Sequence, residues 1–152
     1  MNTTSFSTVI DVQAPPHRVL EVLFDVERWS EWTSTVTGVR RMDSLAFGVG
    51  SRARVQQPKL RAAVWQVTEL DTSKGFTWVT RSPGLRITGR HYVEENELVS
   101  RVTLSLEFSG FLSPLAARLY GNLTKQYLAT EAHGLKKRSE ARPSEHQTKI
   151  TE

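Results

Sequence analysis

Residues Ser113–Arg138 read SPLAARLYGNLTKQYLATEAHGLKKR, and everything upstream has to be reconciled with the long helix this segment predicts. Ser113 suits an N-cap and Pro114 the first turn, where a missing N–H costs nothing. Gly121 and Gly134 are isolated among good helix formers. At 1.5 Å per residue the helix would run roughly 39 Å. Leu115, Ala116, Leu119, Leu123 and Tyr127 recur at helical spacing, with Tyr120 at the margin. A second stripe of Ala117, Gly121, Leu128 and Leu135 widens the apolar arc, leaving Arg118, Asn122, Lys125 and Lys136 for water. So wide an arc predicts a helix cradled by a curved surface rather than resting on a flat one.

The preceding chain supplies that surface. From Thr35 the hydrophobic pattern has period two, giving candidate strands over 36–42, 52–57, 62–70, 76–81, 85–94 and 100–109. The last is the clearest, with Val102, Leu104, Leu106 and Phe108 facing one way and Arg101, Thr103, Ser105 and Glu107 the other. Short turn signals such as Asp71-Thr72-Ser73-Lys74-Gly75 and Ser82-Pro83-Gly84 separate them, which implies hairpins and an antiparallel meander. At the start, Ser5–Val12 alternates as a first strand. Ala14-Pro15-Pro16 opens a helix to about Phe24, and Asp25 can cap a second short helix, DVERWSEW. Strand, two short helices, six strands and a long helix make an α+β helix-grip chain: a curved antiparallel seven-stranded sheet around its C-terminal helix.

The 152 residues fit one domain, expected over 1–140, followed by a polar, unpatterned tail over 141–152 that is expected to be disordered. Hydrophobic residues make up 38% and charged residues 24%, an ordinary globular composition. No apolar run approaches the roughly 18 residues of a membrane span. The N-terminus lacks the basic and apolar regions of a signal peptide. The chain has no cysteine, so disulfide and thiolate chemistry are excluded, in keeping with an expected cytoplasmic location. The net charge of +4 comes from scattered Lys and Arg without a helix-turn-helix, zinc-finger or aromatic RNA-binding signature, so nucleic acid is not an expected partner. A monomer or homodimer is expected.

The motifs add a resemblance. Val9-Ile10-Asp11-Val12-Gln13-Ala14-Pro15-Pro16, Asp25-Val26-Glu27-Arg28-Trp29-Ser30-Glu31-Trp32, Trp65-Gln66-Val67-Thr68-Glu69-Leu70-Asp71 with Phe76-Thr77-Trp78, Arg101-Val102-Thr103-Leu104 and Leu135-Lys136-Lys137-Arg138 follow one another in order. In this they resemble the polyketide cyclase/dehydrase-like families of the START-related (SRPBCC) superfamily, over about Ser5 to Glu140. The resemblance implies the helix-grip fold and a cavity for a hydrophobic small molecule. Such families include cyclases, lipid and hormone binders and chaperone co-factors, so fold does not fix function.

Strand parity points Phe76, Trp78 and Thr80 inward, with Leu104 and Leu106, and with Leu85, Ile87, Gly89 and His91 of the sixth strand. Trp65 and Val67 share that face, although Val64 and Leu70 make their strand ambiguous. The expected ligand-binding set is Phe24, Trp32, Trp65, Trp78, Thr80, His91, Leu104, Leu106, Leu119, Tyr120, Leu123 and Tyr127. Gly89, Ala116, Ala117 and Gly121 remove bulk where helix and sheet should meet.

His91 is the one candidate for proton transfer, helped by Tyr120 or Tyr127, if the protein is an enzyme. Strand parity places no carboxylate beside it. His17, His133 and His146 form no metal-ligand spacing, no nucleophile–base pair appears, and no metal or cofactor is expected. Three functions fit: binding a lipid- or polyketide-like molecule, a cofactor-free cyclase/dehydratase-type enzyme in the same cavity, or a protein-interaction module using basic residues.

Overall fold

A computed structural model describes residues 3–97 and 99–141; the expected tail, from residue 142 onward, lies outside them. The elements are β1 (Thr3–Val12), α1 (Pro16–Phe24), a 3-10 helix (Val26–Glu31), β2 (Gly38–Arg41), β3 (Arg52–Gln56), β4 (Ala63–Asp71), β5 (Gly75–Ser82), β6 (Leu85–Asn96), β7 (Val99–Ser109) and α2 (Ser113–Glu140). One curved seven-stranded sheet runs in the order β1-β7-β6-β5-β4-β3-β2, every neighbouring pair antiparallel. The meander of β2 to β7 is thus extended by β1, which pairs β7 along its whole length from Thr3↔Ser109 to Val12↔Ser100.

Local chemistry sets the registers. At the β4–β5 turn Asp71 Oδ1 accepts hydrogen bonds from the Ser73 backbone N–H at 2.9 Å and its hydroxyl at 2.6 Å. Gly75 then adopts φ +137, and a Cβ there would lie 1.8 Å from the His91 carbonyl oxygen. Only glycine lets β5 approach β6 here. A bulge between Val67 and Glu69 resolves the ambiguity of β4. The extra residue, Thr68, flips the parity, so Trp65 and Val67 before it and Leu70 after it all turn toward the core.

Helix α2 occurs where expected but starts and faces differently. The N-cap position is Leu112, so Ser113 is already in the first turn, and the Ser113 N–H donates to the Gly110 carbonyl at 3.0 Å. The buried stripe is Ala116, Gly121, Thr124, Leu128, Ala132 and Leu135. Leu115 and Leu119, expected inside, are 52% and 65% exposed, and Tyr120 is 43% exposed. The reason is steric: the first half of the helix lies against β1, and the Phe6 ring reaches to 3.4 Å from where a Gly121 Cβ would be. In this half small residues therefore take the inner face, and Leu115 and Leu119 point out.

Helix α2 packs along β1, β7 and α1, touches β6, and stays clear of β2 to β5. Its C-terminal end is fastened most firmly. Glu140 Oε2 accepts from the Gln13 N–H at 2.7 Å, Lys136 Nζ donates to the Asp11 carbonyl at 3.2 Å, and Arg138 pairs with Glu31 at 2.6 Å. Between these lies Gly134, whose Cβ, if present, would sit 2.0 Å from the Trp32 carbonyl oxygen.

Substituting the two helix glycines should give opposite signs. Gly134→Ala drives a methyl into backbone and should cost about 1–3 kcal/mol, a Tm lower by roughly 3–10 °C. Gly121→Ala meets only the edge of the Phe6 ring and gains helix propensity of about 1 kcal/mol, so its Tm should hold or rise. Thermal unfolding of the two variants checks both.

Candidate functional site

Aromatic rings floor the inner face of the sheet. Trp78 is central, with its ring centroid 5.3 Å from Trp29, 5.2 Å from Phe76, 5.6 Å from Trp65 and 5.9 Å from His91. Trp29, carried on the 3-10 helix, is fixed by its indole N–H donating to the Leu23 carbonyl at 3.0 Å. Gly89 admits the Trp78 indole rather than leaving a void, since a Cβ there would approach the ring to 3.2 Å. Most of this aromatic set is therefore packing.

Space remains beside it, because α2 covers only the β1–β7–β6 half of the sheet. An outer chamber of about 370 Å³ lies between the sheet residues Trp65, Thr80, Ile87 and Leu106 and the helix residues Ala116, Tyr120, Leu123 and Tyr127. Gln57, Lys59, Leu60 and Arg61, between β3 and β4, close its remaining side. That loop carries Lys59 in a left-handed conformation, φ 67, and is tied to α2 by the Tyr127 hydroxyl, which donates to the Pro58 carbonyl. A much smaller inner recess, about 50 Å³, is walled by Trp29, Trp78, His91, Leu104, Leu128 and Glu131. Gln57, Trp65, Leu106 and Glu131 belong to both walls.

Burial perturbs two of the titratable groups lining this space most strongly, His91 and Glu131. His91 stacks on Phe76 with centroids 4.3 Å apart and rings inclined by 17°. Its Nδ1 lies 3.3 Å from the Phe76 carbonyl, which can only accept, so Nδ1 carries the proton and Nε2 the lone pair. Burial lowers its pKa to about 4, against a smaller opposing effect of the Phe76 carbonyl, so the ring is neutral at pH 7. Glu131 has no hydrogen-bond or ion-pair partner among the described residues, and burial pushes its pKa up to about 7. Some of its surface stays exposed even so.

The structure gathers most of the expected residues and separates three. Trp65, Thr80, Leu106, Tyr120, Leu123 and Tyr127 line the outer chamber, and Trp78, His91 and Leu104 the inner recess. Phe24 and Trp32 do not line either space. Phe24 packs against Phe47 and Phe76 and borders a groove beside α1, while Trp32 packs at a tilt against Trp29 and borders a surface pocket with Arg18 and Arg138. Leu119 points to solvent.

Glu131 is the residue that strand parity missed, because it comes from the helix. Its signal was available: Thr124, Tyr127, Leu128, Glu131 and Leu135 recur at helical spacing, so a carboxylate interrupts the buried stripe. Among the described residues, no group of three or more acidic and histidine side chains could hold a metal ion, and no helix is long and apolar enough to cross a membrane.

Comparisons with known proteins place the fold among known relatives. Residues 3–140 match the family model described as polyketide cyclase / dehydrase and lipid transport. The chain belongs to that family. Among solved structures it is similar to the Zhui aromatase/cyclase from Streptomyces sp. R1128, at 14% identity and TM-score 0.77 over 94% of this chain and 98% of that one. It is also similar to the ginseng major latex-like protein 151 from Panax ginseng, at 12% identity and TM-score 0.75 over 91% and 99%. A third likeness is to the di-domain ARO/CYC BexL from the BE-7585A biosynthetic pathway, at 16% identity and TM-score 0.72, covering 93% of this chain and 51% of that chain. At such identities the likeness is one of fold. A comparison with curated proteins finds no match.

The two buried groups give opposite pH dependences of stability. Glu131 titrates near 4.5 when unfolded and about 7 when folded, so stability falls as pH rises through that window. His91 titrates near 6.5 unfolded and about 4 folded, so stability falls as pH drops from 6.5 toward 4. Glu131→Gln should leave stability at pH 4 unchanged and raise it at pH 8 by up to about 3 kcal/mol. His91→Gln should abolish the acid-side decline. Urea unfolding across pH 4–8 measures both, and equal wild-type and Glu131→Gln stability at pH 8 would contradict a buried carboxyl.

Proposed function

We propose that this protein binds a hydrophobic or aromatic small molecule, lipid- or polyketide-like, between its sheet and α2. The observation that carries the reading is the outer chamber, about 370 Å³ with mainly apolar walls. Small-molecule sites are typically concave, apolar and some 300–1,000 Å³ in volume. Membership of a family whose description names cyclases, dehydrases and lipid transport supports the same reading. In this view Trp65, Thr80, Leu106, Tyr120, Leu123 and Tyr127 contact the ligand, and the floor of Trp78, His91 and Leu104 limits its depth.

A second reading is a cyclase- or dehydratase-type enzyme in the same cavity. It is favoured by one observation, that Glu131 and His91 share the inner recess, which gives the histidine the carboxyl group its own sheet lacks. The neutral imidazole would accept a proton at Nε2 while the chamber holds the substrate folded, and positioning of that kind needs few catalytic groups.

Fatty acids and polycyclic aromatics, screened by thermal shift, should include compounds that raise Tm. Leu123→Trp, which fills the outer chamber, should weaken their binding at least tenfold while the protein stays folded. No stabilising compound in the panel, or unchanged binding by Leu123→Trp, would sink the binding reading. The enzyme reading is tested on polyketide-like substrates, where His91→Gln should lower turnover at least 100-fold; full turnover in both His91→Gln and Glu131→Gln removes it.

A further inference from the structure

We infer that Glu131 sets the ligand's chemical class: as an uncharged carboxylic acid where the two chambers adjoin, it donates a hydrogen bond to a neutral carbonyl oxygen, as in a ketone or quinone, on the ligand's inner end. This rests on the reading of the outer chamber as a binding site.

The geometry comes first. Glu131 lies on the walls of both the outer chamber and the inner recess, as do Trp65 and Leu106 of the sheet. Any molecule that fills the outer chamber and reaches inward passes it. Among the described residues no cation pairs with it. Arg90 of β6, whose residue borders the recess, is 3.2 Å from Glu107 in an exposed pair. Lys59 and Arg61 bring positive charge to the outer chamber from an exposed loop and form no ion pair with Glu131. Tyr120 and Tyr127 on α2 and His91 on β6 complete the titratable lining, and β4 and β7 contribute none.

Three neighbouring donors are already engaged. The Gln57 amide donates to the Thr35 carbonyl at 3.2 Å, the Tyr127 hydroxyl to Pro58, and His91 Nδ1 to Phe76. A carboxylic acid in such a wall keeps its proton until about pH 7, because ionising it there means holding a charge with no partner. Its O–H is then free to donate. The complementary ligand group is an acceptor without charge. A carboxylate at this depth would be desolvated beside an acid that must stay protonated. An amine would reverse the logic by holding Glu131 ionised.

Three molecules with one apolar body separate these cases: 2-acetylnaphthalene, 2-naphthoate and 1-(2-naphthyl)ethylamine. Binding to the full chain is measured by isothermal titration at pH 6.0 and 8.5. The ketone should bind tightest at pH 6.0 and about tenfold or more weaker at pH 8.5, as the protonated fraction of Glu131 falls. His91, titrating near 4, does not contribute in that window. In Glu131→Gln, whose amide still donates, ketone binding should become independent of pH and stay within a few-fold of wild type at pH 6.0. In Glu131→Leu the ketone should lose its preference over the other two. Ketone binding that ignores pH in the wild type, or a preference for the amine, overturns the inference while leaving the cavity a binding site. If none of the three binds and the wider thermal-shift panel also fails, the cavity reading falls and this inference with it.

Discussion

Helix α2 comes up against the backbone just after the 3-10 helix, where Gly134 leaves no room for a side chain beside the Trp32 carbonyl. That contact, with the bonds from Glu140, Lys136 and Arg138, fixes the C-terminal half of α2 over the β1 side of the sheet. A helix set over one side cannot also cover the other. The β3–β5 half of the concave face must be filled by its own side chains, and Trp65, Trp78 and Phe76 are large enough to fill most of it. What they do not fill is the cavity.

This arrangement also explains why two titratable groups stand where burial works against their charge. The parity of β6 turns His91 inward, where it stacks on Phe76 and burial keeps it neutral. Glu131 is half-buried at the margin of the buried stripe of α2, opposite the uncovered half of the sheet, and has no ion-pair partner among the described residues. A fully packed interior would select against both. An unpaired acid and a neutral imidazole in one recess are groups a ligand can satisfy and a hydrocarbon core cannot.

How far the sequence could be read depended on which periodicity carried the information. Period two is unforgiving, since a one-residue error moves every side chain across the sheet. The parity of β5, β6 and β7 therefore placed Trp78, His91 and Leu104 correctly, and even the ambiguity of β4 marked a real bulge at Thr68. The helix was less legible. Counting large apolar residues put Leu115 and Leu119 inside, whereas packing against Phe6 demanded Ala116, Gly121 and Thr124. Glu131 went unseen because a carboxylate on a helix is ordinarily read as solvent-facing. Phe24 and Trp32 were misplaced because they sit at the ends of short helices whose orientation strand parity does not set. Local pattern fixed the sheet; the rotation of α2 depended on contacts with residues more than a hundred positions away.

The loop between β3 and β4 has a kinetic consequence. Helix α2 is held at its C-terminal end by the contacts above and at its N-terminal end by the Leu112 N–H on the Gly84 carbonyl, 2.9 Å. It behaves as a fixed beam. The loop, by contrast, is exposed at Lys59, Leu60 and Arg61 and is joined to the beam by the Tyr127–Pro58 hydrogen bond. A single such bond is worth about 1 kcal/mol net, so breaking it raises the open population of the loop only a few-fold above what the closed state already allows. Under the proposed binding reading, this loop rather than the sheet or the helix is the part that would have to move for a molecule to come or go.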